Sequence, residues 1–95
     1  MEAPKELPMA EIINQGLKEL EVANPEPTLA SLLVSIGAPR LNSLGFKPTH
    51  TIANPEKKLY ELIARSQPED SAHSYYNSLI RRLVSFERAA SCVKR

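Results

Sequence analysis

Metal and thiolate chemistry need imidazole and thiol side chains within reach of one another, and this chain offers only His50, His73 and Cys92. Zinc sites place such ligands in short-spaced pairs, and no two of these three are close in sequence. The pattern therefore predicts no metal site. A Cys–His nucleophile would need folding to carry Cys92 to one of the imidazoles, but a lone cysteine near the end of a chain reads as incidental. Gly16, Gly37 and Gly45 are scattered, so no phosphate-cradling loop is present. The acidic residues fall mainly at prospective helix starts and polar faces, and Glu69 and Asp70 read as cap and dipole partners rather than as a general acid and base. The expectation is a chain with no catalytic residues, no cofactor and no enzymatic activity.

Charge gives the stronger lead. The chain carries 12 basic and 11 acidic side chains, a net +1, which provides no global attraction to nucleic acid or membrane. Residues 1–50 hold four basic and six acidic groups, and residues 51–95 hold eight and five. The excess gathers at the end, where Arg81, Arg82, Arg88, Lys94 and Arg95 face only Glu87. At about 100° per residue, Arg81, Arg88 and Arg95 form a basic ridge beside an apolar stripe, with Arg82 on the opposite flank. Such a ridge can meet phosphate or an acidic protein surface, or can simply cover core edges with its methylene stems. Glu87 falls close to the centre of the apolar face, which is costly for an unpaired carboxylate. It is read here as marking where the core stops, leaving Phe86, Ala89, Ala90 and Val93 to dock on a partner or a second copy. Tyr75 and Tyr76, next to His73, add aromatic area of the kind enriched in binding hot spots.

These residues need elements to hold them. Of the composition, 42% is hydrophobic and 24% charged, ordinary values for a folded domain. There is no Trp, and two Phe and three Tyr leave core volume to Leu and Ile, which suits helices better than sheet. Eight prolines against three glycines imply rigid element boundaries. One cysteine excludes an internal disulfide, and no apolar run approaches the ~20 residues of a membrane span. A cytoplasmic protein is expected, with no membrane partner.

Met9, Ile12, Ile13, Leu17 and Leu20 recur at helical spacing and predict a helix over 9–22, after a loosely ordered lead-in at 1–7. Pro25 and Pro27 interrupt it, and Asn24 or Thr28 then caps a helix over 28–36 that Gly37 ends. Pro39 starts a short turn over 39–44, stopped by Gly45. Phe46 to Ala53 reads as a loop. Asn54, Pro55 and Glu56 open a helix over 55–65 with Leu59, Leu62 and Ile63 inward. A long helix over 69–92 closes the chain and is expected to be the spine on which the shorter ones pack. The run Ala23, Asn24, Pro25, Glu26 recurs thirty positions later as Ala53, Asn54, Pro55, Glu56, read as shared helix-start chemistry rather than as a repeat array.

The fold class expected is all-α, a small orthogonal or irregular bundle of four to five helices within one domain over 8–95. The function expected is a protein-interaction module: a regulator, adaptor or inhibitor. It would meet an acidic and apolar protein surface through Tyr75, Tyr76, Arg81, Arg82, Phe86, Arg88, Val93 and Arg95, with homodimerisation as a second use of surplus apolar surface. Nucleic-acid binding through the same basic helix is the less favoured alternative, because the near-neutral total and the poor reading helix around Pro39 and Arg40 weigh against it.

Overall fold

The computed structural model describes residues 9–94, with the side chains of Val93 and Lys94 left aside. Four helices run in the order α1 (Ala10–Glu19), α2 (Leu29–Ser43), α3 (Pro55–Ala64) and α4 (Glu69–Lys94), and the described residues contain no strand. The chain is thus an all-helical globule with a long last helix. Its radius of gyration of 12.9 Å is close to the ~13 Å of a folded chain of this length. The expected lead-in at 1–7 lies outside the described residues.

The largest difference from the sequence reading is α2. Helices over 28–36 and 39–44 were expected, but α2 runs unbroken through Gly37 and Pro39. Gly37 stays helical, and the glycine with positive φ is Gly45 at 94°. Pro39 costs the helix one hydrogen bond, on the order of 3 kcal/mol. Continuing past it offsets that loss, because Leu41 becomes fully buried and the real end of the helix closes well. There Phe46 N–H donates to the Leu41 carbonyl at 2.8 Å and Gly45 N–H to the Asn42 carbonyl at 3.1 Å, the paired bonds of a Schellman ending. Burying one leucine contributes ~1.5–3 kcal/mol, the same order as the proline penalty.

A second correction concerns the spine. α2 contacts each of the other three helices, while α4 packs on α2 and α3. In α2 the buried positions Ser31, Leu32, Leu33, Val34, Ser35, Gly37, Ala38 and Leu41 surround the helix axis, as expected for a helix enclosed by its neighbours. The two buried serines are satisfied locally. Ser31 accepts from Thr28 N–H at 2.8 Å and donates to the Glu26 carbonyl at 2.8 Å. Ser35 donates to the Ser31 carbonyl at 2.8 Å and accepts from Ile52 N–H at 3.0 Å. Thr28 is the cap that forms, joined by Ser31 in a reciprocal capping box, and its hydroxyl also donates to Glu19 of α1.

Helix starts elsewhere differ in detail. α1 ends at Glu19, three residues short of the expected Val22; beyond it Glu21 N–H turns back to the Lys18 carbonyl at 3.2 Å, and the Leu20 carbonyl accepts from His50 N–H at 3.1 Å. Asn54 precedes α3 in a left-handed conformation, φ 51°, and its side chain does not cap the helix. Pro55 opens α3, whereas Pro25 lies in the linker ahead of α2. The repeated Ala–Asn–Pro–Glu run therefore starts one helix and not the other. The segment from Phe46 to Ala53 is the expected loop.

Close helix approach rests on two glycines. A Cβ added at Gly16 would fall 2.4 Å from the Ala30 carbonyl oxygen, so α1 meets the backbone of α2 directly; at Gly37 the nearest atoms are Glu87 Oε2 at 3.0 Å and Leu83 Cδ1 at 3.2 Å on α4. Ala at 16 must push backbone against backbone, while Ala at 37 meets side-chain ends that can give. Alanine itself gains ~1 kcal/mol of helix propensity over glycine at either position. Overpacking costs ~1–3 kcal/mol, so Gly16→Ala should lower stability and Gly37→Ala should change it little. Thermal melts followed by circular dichroism check this ordering, with ~4–8 °C expected per kcal/mol.

Candidate functional site

The extension of α2 past Pro39 sets its last turns beside the end of α4. Pro39, Arg40, Ser43 and Leu44 from α2 and its C-cap face Glu87, Arg88, Ser91 and Cys92 from α4 across an open cleft of about 670 Å³. Clefts of ~300–1,000 Å³ are the usual size of ligand or peptide sites. Arg40 and Arg88, both exposed, line this cleft together with Pro39 and Leu44. Phe86, the residue before Glu87, is fully buried and packs on Phe46, ring centroids 5.9 Å apart. The Schellman ending that delivers Phe46 therefore also contributes to the packing of α4.

Glu87 is the unusual member. It is 7% exposed, faces Gly37 across the α2–α4 contact, and forms no hydrogen bond or ion pair with any described residue. Burial pushes its carboxyl above the ordinary value, opposed in part by the charge of Arg40. The reading of Glu87 as the place where the core stops is overturned. Phe86 is buried at 0% exposure and Ala90, beyond Glu87, at 4%. The core continues because α2, longer than expected, is there to cover it.

The sequence-predicted partner residues are dispersed. Arg81 and Arg82 are exposed, as is Tyr75 at 38%. Arg88 lines the groove, and Phe86 is an interior residue that presents no surface. Tyr76 is half-buried and set edge-on to Tyr60, centroids 5.7 Å apart, with Tyr60 in turn 6.4 Å from the ring of His73. Burial, and next the charge of Glu56, raise the Tyr76 hydroxyl above its ordinary value. This aromatic group ties α3 to α4. Arg95 and the Val93 side chain lie outside the described residues. Exposed Val84, at 38%, adds apolar area to the outer face of α4.

The histidines and the thiol occupy separate surroundings. His50 sits with its backbone N–H and ring Nδ1 on the Leu20 carbonyl, 3.1 and 3.2 Å away. His73 lies by Tyr60, and Cys92 is exposed on a groove whose lining includes neither histidine. Among the described residues no group of three or more His, Cys, Asp or Glu could hold a metal ion. The loop from Phe46 to Ala53 is fastened to the end of α1 through His50 and to α2 through Ile52.

No protein-family model, curated protein or solved structure matches the chain. No helix among the described residues is long and apolar enough to cross a membrane.

Sequence reasoning missed Arg40, Pro39, Ser43 and Leu44 as site residues, since a helix broken at Gly37 leaves them nowhere in particular. The signal available was the run Leu32, Leu33, Val34, Ile36, Ala38 and Leu41, which is too apolar all round for a short surface helix.

Glu87 makes stability depend on pH with a definite sign. Its folded-state carboxyl holds a proton more tightly than in the unfolded chain, so its penalty is absent at low pH and grows as pH rises through the raised value. Glu87→Gln should therefore melt higher than the wild type at pH 7, with the gap closing near pH ~4, where the unfolded carboxyl also becomes protonated. Melting curves of both proteins across that range check it.

Proposed function

We propose that the chain is a non-enzymatic protein-interaction module whose α2–α4 groove receives an acidic, partly apolar segment of another protein. The observation that carries this reading is the cleft of about 670 Å³ lined by Arg40 and Arg88 together with Pro39 and Leu44. Apolar carbon supplies area, and guanidinium groups bind carboxylates in bidentate fashion and steer the encounter. The same site moves the expected contact from the outer face of α4 to its seam with α2. Arg81 and Arg82 remain outside that seam as exposed charges that extend the basic field. Occupying the groove would act by occlusion or by scaffolding, with no chemical step.

Nucleic acid fits the groove less well. Phosphate would be drawn to Arg40 and Arg88, but a net charge of only +1 gives a polyanion no wider attraction.

Charge reversal of the groove tests the proposal. Proteins recovered from the native host on the wild-type chain should fall about tenfold or more on an Arg40→Glu, Arg88→Glu variant, a change of ~1.4 kcal/mol or more. A Lys18→Glu, Lys57→Glu control carries the same charge change at exposed sites away from the groove and should leave recovery intact. A set of recovered proteins that does not distinguish the two variants overturns the reading. A DNA or RNA mobility shift that collapses steeply with salt would favour phosphate instead.

A further inference from the structure

One group in the groove has no partner among the described residues. Glu87 is more than nine-tenths buried and has no hydrogen-bond or ion-pair partner among the described residues. Glu87 lines the cleft, so a group bound there can approach its side chain. A carboxylate held in this way is costly until a cation or a donor reaches it. Arg40 acts on it only through space.

Resting on the groove reading above, we propose that the occupant is an acidic protein segment carrying one central lysine, whose ammonium reaches the recessed Glu87 carboxylate while flanking acidic side chains meet Arg40 and Arg88. Lysine suits the position better than arginine. Its compact charge rides on a flexible apolar stem, and the methylenes can lie along Pro39 and Leu44 while the head goes down to Glu87. The recess is narrow on the α2 side, where Glu87 Oε2 lies so near Gly37 that an added Cβ would sit 3.0 Å away. A planar guanidinium fork asks for both carboxylate oxygens at once, and one of them is turned toward α2. The groove thereby selects an alternating charge pattern, acidic–basic–acidic, over a uniformly acidic one. Uniformly acidic segments would satisfy the two arginines but set their own charge against Glu87.

Two synthetic peptides provide the test. Both have glutamates flanking a leucine-containing centre, and they differ in one central residue, lysine in one and norleucine in the other. Fluorescence anisotropy against the full chain at pH 7 should give about tenfold tighter binding of the lysine peptide, equivalent to ~1.4 kcal/mol. Glu87→Gln should remove that preference, bringing the two peptides to within about twofold of each other, or ~0.4 kcal/mol. Equal affinities for the wild type, or a preference that survives in Glu87→Gln, overturn the proposal, as does failure of both peptides to bind. The Arg40→Glu, Arg88→Glu variant separates this from the groove reading: if it weakens both peptides while the wild type shows no lysine preference, the groove binds acidic segments and the role of Glu87 is wrong. The wild-type comparison needs no variant, so the outcome does not depend on how well Glu87→Gln folds.

Discussion

Burial on every side of α2 is the constraint from which the other features follow. Buried residues from Ser31 to Leu41 point around the full circumference of this helix, which requires neighbours close on several sides at once. Two of those approaches need the space of a missing side chain, at Gly16 on α1 and at Gly37 within α2 itself. Enclosure also obliges the polar groups of α2 to find partners inside the protein. Ser31 and Ser35 do so through the Thr28 cap, the Glu26 carbonyl and the Ile52 amide. The connecting segments are thus fixed by the same helix that they join.

The groove is a consequence of where α2 stops. A helix ending at Gly37 would not bring Arg40, Ser43 and Leu44 alongside Glu87, Arg88, Ser91 and Cys92. Carrying on through Pro39 sacrifices a backbone bond, yet it buries Leu41 and allows Gly45 and Phe46 to close the end. Phe46 then meets Phe86 at 5.9 Å, so the closure of one helix becomes part of the packing under the other. Stability and the candidate site share residues here. This is why the cleft is bounded by helical segments and not by free loops.

Much of the fold was legible. The apolar stripes of α1 and α3, the start of α4 at Glu69 and its length, and the loop after Gly45 were all readable from spacing and from proline and glycine chemistry. The misreadings have a common cause. Gly37 and Pro39 carry strong local signals for a helix end, and tertiary packing overrode both, because neighbours reward a helix that continues. Asn54 shows the same thing at smaller scale: its type favours capping, and the structure uses its tolerance of positive φ instead. The repeated Ala–Asn–Pro–Glu run is identical in type at both places but differs in what lies behind it in space. At the site, Arg88 and the basic excess of α4 could be found from charge pattern. Arg40 could not, because its position depends on the helix running past Pro39.

Glu87 joins the two scales. From the sequence it was a carboxylate on the wrong side of an amphipathic helix, and ending the core there was the cheapest explanation. The structure keeps the core going through Ala90 and leaves the carboxylate inside it, against Gly37. A buried acid with no partner among the described residues lowers stability, and a hydrophobic side chain of similar size would be the better choice for folding alone. Local rules are most often broken where a site is being built. The glycine opposite makes room for the carboxyl, the proline-bearing helix brings Arg40 to its side, and both features are costly on their own. Three separate departures from good helix design, at Gly37, Pro39 and Glu87, converge on one cleft.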